Sequence, residues 1–171
     1  MSATVIRKLG LADVVAVRDL RLEGLRDFPE NFGSSWEEEA TQPLSFFESR
    51  LAGPSRTIGA FIDGHLVGMV VVSPNYRVKL AHNMEVAGFL VRRPFHRRGV
   101  GRTLMQSAME LMRSDEFPSR GIFATLTVSA GNEAARRLYE NFGFEVCGQL
   151  RQALLVDGQF HDELLMRARI S

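Results

Sequence analysis

The chain is poor in cysteine and has no excess of charge of either sign. Cys147 is its single cysteine, which excludes an internal disulfide and a cysteine-rich metal site. Lysine and arginine number 21 against 20 acidic residues, a net charge of +1, and this balance disfavours a polyanionic partner such as DNA. The four histidines show no metal-ligand spacing, so we expect no metal site.

Long apolar runs are also missing. None approaches the roughly 20 residues that span a bilayer, and no charged segment followed by an apolar segment opens the chain, so we expect a cytoplasmic protein without membrane contact. What is present is ordinary for a packed globular protein, with 45% apolar and 24% charged residues. The 171 residues fit one domain spanning 1–171, and we find no internal repeat.

Hydrophobic periodicity predicts the element order βα(α)βββαβαββ. Segment 28–43 has no clear period, and we interpret it as a lid or wall. Because strand–helix–strand crossovers give locally parallel strands and hairpins give antiparallel ones, the pattern predicts a mixed sheet with helices on its faces. The predicted strands are 4–9, 57–62, 66–72, 84–91, 122–128, 144–155 and 160–169, and the predicted helices are 11–25, 43–54, 99–112 and 132–141.

The stretch "FLVRRPFHRRGVGRTLM", residues 89–105, places a glycine turn between a strand and a helix. Gly99 and Gly101 let the backbone approach an anion at the positive end of the helix, so a pyrophosphate is the natural ligand. A dinucleotide fingerprint would need a small residue where Leu104 stands, and a P-loop would need lysine in place of Arg102. Nucleic-acid binding is disfavoured, because aromatic residues are not interleaved with the arginines.

Two motifs in the right order resemble those of the GCN5-related N-acetyltransferase (GNAT) family. "EVAGFLVRRPFHRRGVGRTLM" is similar to its strand–loop–helix motif A, and "LTVSAGNEAARRLYENFGFEVCG" is similar to its second motif. His96 departs from the family's Gln or Arg at that place. The resemblance implies an α/β fold of the mixed α+β kind. Its central sheet would have about seven mostly antiparallel strands, a splayed parallel pair, and helices on both faces.

The resemblance also implies acetyl-CoA as co-substrate. Gly88 would form a bulge that splays the parallel strands, so that the pantetheine arm pairs with the strand edge after it. Arginines near the turn would pair with the phosphates, although any one of them, including Arg92 and Arg93, could equally be solvated. Asn132 could contact pantetheine, cap its helix, or do both. The expected cofactor-binding residues are Phe89, Leu90, Val91, His96, Arg97, Arg98, Gly99, Val100, Gly101, Arg102, Thr103, Asn132 and Ala135.

Acetyl transfer to an amine needs a base and an acid, and the resemblance supplies Glu85 and Tyr139 for these roles. The strand period of two puts Glu85 on the same face as Ala87, Phe89 and Val91, although this glutamate could equally reach solvent or pair with an arginine. Tyr139 is protonated at neutral pH and could donate to the leaving sulfur, or could be a buried structural tyrosine. We disfavour Cys147 as an acyl-accepting nucleophile and expect it to be buried as a small apolar residue.

The acceptor is the least determined part of the prediction. Phe32, Trp36 and Glu37 are candidates, in a segment whose acidic run 37–39 would favour a cationic amine if it is not simply solvated. The reaction would be direct transfer to the primary amine of an amino acid, a polyamine, an antibiotic or a peptide N-terminus. A silent acyl-CoA-binding sensor is the alternative function. We also expect a homodimer, because many proteins of the family pair through their last strands.

Overall fold

A computed structural model of the chain describes residues 3–118 and 121–170. The predicted strands and helices are all present, with boundaries that differ by up to three residues, and one further short helix lies between the first two predicted helices. The strands are β1 (Val5–Lys8), β2 (Arg56–Ile62), β3 (His65–Pro74), β4 (Asn83–Val91), β5 (Phe123–Ser129), β6 (Glu145–Val156) and β7 (Gln159–Arg169). The helices are α1 (Val14–Asp27), α2 (Trp36–Ala40), α3 (Leu44–Ala52), α4 (Val100–Arg113) and α5 (Glu133–Glu140).

The seven strands form one mixed sheet in the order β1-β2-β3-β4-β5-β7-β6. Only β4 and β5 pair in parallel, and every other neighbouring pair is antiparallel. The crossover through α5 does not give neighbouring parallel strands, because β7 lies between β5 and β6. Leu164, Met166 and Ala168 of β7 are buried whereas β6 is mostly exposed, so β7 takes the inner position. The predicted mixed sheet is confirmed.

Helices cover both faces of the sheet, as predicted. Alternate residues of β2 and β3 enter two separate cores, so that Ile62 and Val67 pack on the α4 side while Phe61 and Leu66 pack on the α1 side. The stripe of α4 that faces the sheet is almost wholly excluded from water, and each of its leucine and methionine side chains contributes about 1.5–3 kcal/mol. Its members are Leu104, Met105, Ala108, Met109 and Met112.

Gly88 forms the expected bulge in β4. It has a φ of +57°, and the register passes from Val71 opposite Ala87 to Met69 opposite Leu90, so that Gly88 and Phe89 together face a single residue. The parallel pairing with β5 ends at Glu85 opposite Thr125. Beyond the bulge the two strands are splayed, and the unpaired edge of β4 faces the gap.

The bulge overturns the predicted facing of Glu85. An uninterrupted period of two would put Glu85, Phe89 and Val91 on one face, but one extra residue reverses the alternation. Val91 packs with the core on the α4 side, and Leu90 packs on the α1 side. Glu85 therefore shares its face with Ala87 and Leu90.

Segment 28–43 contains a helix that periodicity did not predict. In α2, the Ser35 hydroxyl accepts from the Glu38 backbone N–H at 3.2 Å, and the Glu38 carboxylate accepts from the Ser35 N–H at 2.7 Å. This capping box stabilises a helix too short to show a period. Among the described residues, no helix combines the length and the apolar character that a membrane crossing requires.

Candidate active site

The glycine turn before α4 presents main-chain donors to a cleft. Gly99 caps the helix in the left-handed region, with a φ of +82°. Its carbonyl accepts from the Thr103 N–H at 3.0 Å and from the Thr103 hydroxyl at 3.1 Å. The first N–H groups of a helix have no intrahelical partner, so those of α4 are available to an anion.

His96 fastens this turn to the end of β4. Its Nε2 lies 2.7 Å from the Val91 carbonyl oxygen, which can only accept, so the ring donates from that nitrogen. The ring also stacks on Phe28, which follows α1, with 5.5 Å between centroids. The histidine that departs from the family pattern therefore joins three elements through its own contacts.

The arginines around the turn fall into two groups. Arg92 is paired with Glu23 of α1 at 3.0 Å, and Arg93 donates to the Asp27 carbonyl at 3.2 Å. Both hold the turn against α1 and are not free for phosphates. The other group is exposed and makes no ion pair with any residue in 3–118 or 121–170, so its charge is available to a ligand. It consists of Arg97, Arg98 and Arg102.

A cleft of about 650 Å³ opens between the splayed strands, the start of α4 and the face of α5. Asn132 caps α5 there, with its Oδ1 accepting from the Ala135 N–H at 3.1 Å. Most of the predicted cofactor residues line this cleft, whereas Arg98, Gly99, Val100, Arg102 and Thr103 lie in the adjoining turn and first helical turn. The lining includes Phe89, Leu90, Val91, His96, Arg97, Gly101, Asn132 and Ala135, together with Phe95 and Leu138.

A smaller cavity of about 230 Å³ adjoins the cleft and brings Glu85 and Tyr139 together. Asn132, Ala135 and Phe89 line both spaces. The small cavity also contains side chains that sequence reasoning missed, because they come from distant elements with no local pattern. They are Arg21, Asn31 and Glu163. The Asn31 side-chain oxygen is buried and has no hydrogen-bond partner within the described part of the chain.

Tyr139 and Glu85 have opposite environments. Tyr139 is 5% exposed and lies between the rings of Phe89 and Phe144, at 5.7 and 6.0 Å. Burial raises the pKa of its phenol above the ordinary value of 10.0, so the hydroxyl keeps its proton. Glu85 is exposed and lines the cavity, although its neighbours on the same face, Ala87 and Leu90, are apolar.

The predicted acceptor residues Phe32, Trp36 and Glu37 all line a separate cavity, beside the turn between β6 and β7. Phe32 also lines the cavity that holds Glu85 and Tyr139, whereas Trp36 and Glu37 do not. Their placement follows from α2, whose cap fixes which side of the helix faces the body of the protein.

The acidic run 37–39 is not the open anionic surface expected for a cationic amine. The Glu39 carboxylate is buried and accepts from Arg21 Nε at 3.0 Å and Nη2 at 2.8 Å. Burial acts to raise the pKa of the Glu39 carboxyl, but Arg21 and Arg50 outweigh it, and the pKa lies below its ordinary value. Glu38 is committed to the helix cap.

Cys147 is exposed, which corrects the expectation of a buried residue. It lies on β6, a mostly exposed strand at the edge of the sheet, where few neighbours can cover it. Its Sγ donates to the Leu165 carbonyl at 3.5 Å, and it lines neither the cleft nor the cavity that holds Tyr139. Within 3–118 and 121–170 there is no group of three or more side chains suited to hold a metal.

Comparison with known proteins agrees with this geometry. The model of the acetyltransferase (GNAT) family matches residues 19–144. The L-amino acid N-acetyltransferase AaaT of Escherichia coli K12 is 26% identical over 171 residues, which cover 97% of this chain and 98% of that protein.

Solved structures share the fold over nearly the whole chain. One is yncA from Salmonella typhimurium, determined with its cofactor acetyl-CoA, which has a TM-score of 0.79 and 16% identity and covers 99% of this chain and 95% of its own. Another is the ribosomal-protein-alanine N-acetyltransferase of Brucella melitensis, with a TM-score of 0.78 and 23% identity. The match covers 96% of this chain and 99% of that protein.

Proposed function

Because the chain belongs to the acetyltransferase (GNAT) family, we propose that it is an acetyl-CoA-dependent N-acetyltransferase that transfers acetyl directly to the primary amine of an amino acid or a close analogue. The observation that carries the proposal is the small cavity in which Glu85 and Tyr139 meet at the inner end of the cleft. The name of the E. coli relative supports an amino acid as acceptor.

Acetyl-CoA would supply an activated acyl group, and the residues of the cleft fit it. The N–H groups at the start of α4 and the three unpaired arginines would bind the phosphates. The unpaired edge of β4 after Gly88 would bind the pantetheine amides, as a neighbouring strand would. This arrangement directs the thioester toward the cavity beyond Phe89.

Tyr139 and Glu85 would move the protons. The attacking amine must be neutral, but amines are largely protonated at neutral pH. The small cavity that holds Glu85 and Tyr139 would be the acceptor cavity, and a carboxylate exposed to it suits the role of base. Glu85 is our candidate, and Glu163 is the other carboxylate that lines the same cavity. The Tyr139 phenol keeps its proton and would donate it to the departing sulfur.

Thiol release on mixing acetyl-CoA with single amines tests the activity. The panel should contain amino acids, amino-acid amides, a polyamine and a peptide with a free N-terminus. We expect Tyr139→Phe to lower kcat by about 10²- to 10⁴-fold, the range of a lost general acid. Calorimetry should show acetyl-CoA affinity unchanged, since Phe keeps the packing between the two neighbouring rings.

Variants of the two carboxylates identify the base, and a variant of Cys147 distinguishes direct transfer from an acyl-cysteine route. Glu85→Gln should lower kcat more than Glu163→Gln if Glu85 is the base, and the reverse order would transfer the role to Glu163. Cys147→Ser should leave the rate unchanged, because Cys147 lies outside the cavity; a large loss would favour an acyl-cysteine route. Acetyl-CoA binding without thiol release from any amine would support the silent sensor instead.

We also propose a homodimer formed through β6. This edge strand and its hairpin partner expose large apolar side chains, among them Leu155 at 62% and Phe160 at 60%, which face each other across the hairpin. An exposed apolar edge strand is a site for association. Leu155→Glu should convert a dimer to a monomer in light scattering, whereas Val15→Glu, at an exposed apolar residue of α1, should not.

A further inference from the structure

One charged side chain of the acceptor cavity has no part in the chemistry proposed above. Arg21 extends from α1, and its side chain is 12% exposed. Its Nε and Nη2 are occupied by the two oxygens of Glu39. Its Nη1 has no hydrogen bond to a residue of the described chain, and Arg21 lines the cavity of Glu85 and Tyr139.

The neighbours of Arg21 fix the orientation of its guanidinium, and the Glu39 carboxylate neutralises its charge only in part. The Glu39 carboxylate is also 3.4 Å from Arg50 Nη1, so two guanidiniums share one carboxylate. The Phe32 ring lies 4.7 Å from the Arg21 guanidinium carbon on its other side. A buried, oriented and incompletely neutralised guanidinium is suited to bind a carboxylate from outside the protein.

A third space lies next to Arg21. It has a volume of about 360 Å³ and is enclosed mainly by apolar side chains of α1, α3 and β3. Arg21, Ala87 and Gly88 line both this space and the acceptor cavity. The 360 Å³ space therefore adjoins the acceptor cavity at these three residues. Its apolar lining includes Val17, Phe47, Leu51, Met69 and Val71.

We propose that the acceptor is an α-amino acid whose carboxylate binds Arg21 and whose apolar side chain enters the 360 Å³ space, with its amine facing Glu85 and Tyr139. The charges of the cavity match such a molecule, because Arg21 can pair with its carboxylate and Glu85 and Glu163 can pair with its amine, and all three line the same cavity. The inference rests on the proposed function and deepens it. It makes Arg21 the specificity residue and Glu39 the residue that positions it.

The carboxylate is tested with leucine and leucinamide, which differ only in that group. The amide has the less basic amine, so the fraction of neutral amine favours leucinamide. A higher kcat/KM for leucine therefore requires recognition of the carboxylate. We expect wild-type protein to prefer leucine by about 10-fold or more, as one charged hydrogen bond provides.

The double variant Arg21→Met with Glu39→Met removes the ion pair without leaving a buried charge unpaired. It should lower the leucine-to-leucinamide ratio by about 10- to 100-fold, while acetyl-CoA affinity stays within a few-fold. The control is Arg7→Met with Asp13→Asn, which removes another bidentate pair, at 2.7 and 2.8 Å on the outer strand β1, and should leave the ratio unchanged.

Arg21→Lys provides a second measurement should the double variant fail to fold. It keeps the charge beside Glu39 but loses the fork, so the ratio should fall several-fold. An unchanged ratio in either folded variant would overturn the inference. So would a wild-type protein that acetylates leucinamide as well as leucine, a result that leaves the proposed acetyltransferase intact. Absence of thiol release from every amine would instead defeat the proposed function.

The apolar space is tested by filling it. Val71 is half-buried and lines it from β3, so Val71→Phe should reduce its volume. We expect kcat/KM for leucine to fall by about 10-fold or more relative to alanine, the range for a lost apolar fit. Equal effects on leucine and alanine would contradict the placement of the side chain.

Discussion

The proposed cofactor side and the proposed acceptor side of the candidate site are built in different ways. The cleft uses main-chain groups and short-range contacts, such as the Gly99 cap and the His96 contact with Val91 five residues earlier. The acceptor cavity uses side chains that different elements bring together, including Arg21, Glu85 and Glu163. The comparison shows that a site made of backbone can be predicted from a motif, whereas a site made of distant side chains cannot.

The largest effect is expected from Glu39→Gln, which should change the acceptor side and leave the cofactor side unchanged. The change leaves Arg21 buried without a counter-charge, so unfolding should cost about 2–4 kcal/mol less than in wild type. Acetyl-CoA affinity of the folded variant should not change. Urea unfolding and calorimetry measure the two effects, and Glu37→Gln, an exposed neighbour on the same helix, should change stability by less than about 0.5 kcal/mol.

The effect of Glu39→Gln on the free energy of unfolding should depend on pH. The pKa of Glu39 is lower in the folded protein than its ordinary value of 4.5, so its stabilisation is complete above that value and disappears as pH falls through the folded pKa. The stability difference between wild type and Glu39→Gln should therefore be constant near neutral pH and shrink below about pH 4. A difference that persists in acid would mean that ionised Glu39 is not its source.

A smaller effect is expected from Gly99→Ala, which should change the cofactor side and leave the acceptor side unchanged. A φ of +82° is strained for a residue with a Cβ, by about 1–2 kcal/mol. The turn should relax and lose its donor geometry, so that acetyl-CoA binds about 10-fold more weakly while the leucine-to-leucinamide ratio is kept. Gly10→Ala is the matched control, because its φ of −134° suits alanine and nothing lies near its Cβ.

The smallest effect is expected from single arginines at the turn. Arg98→Gln should weaken acetyl-CoA binding only a few-fold, since an exposed charge pair contributes about 0.2–1 kcal/mol. The loss should diminish at high salt, because salt screens exposed charges. Arg7→Gln on the outer strand should have no effect on binding, and a loss at Arg98 that is independent of salt would point to a different role.

Individual residues show where prediction from sequence stops. The N-cap Asn132 was predicted from local pattern, and its contact with the Ala135 N–H agrees. The facing of Glu85 was wrong, because a period-two argument cannot follow the alternation past a bulge, although Gly88 itself suggested one. Trp36 and Glu37 line a different cavity from Tyr139, and α2 is too short to reveal its buried side through periodicity.

The sequence by itself determined the order of the strands and of every helix except α2, the mixed sheet and the glycine turn before α4, because these depend on periodicity, glycine conformations and contacts within a few residues. Only the tertiary structure decided that β7 lies inside β6, that Arg21 and Glu39 form one buried pair, and that Trp36 and Tyr139 line different cavities. Those outcomes depend on which surfaces are excluded from water together, and residues far apart in the chain carry no local trace of their pairing.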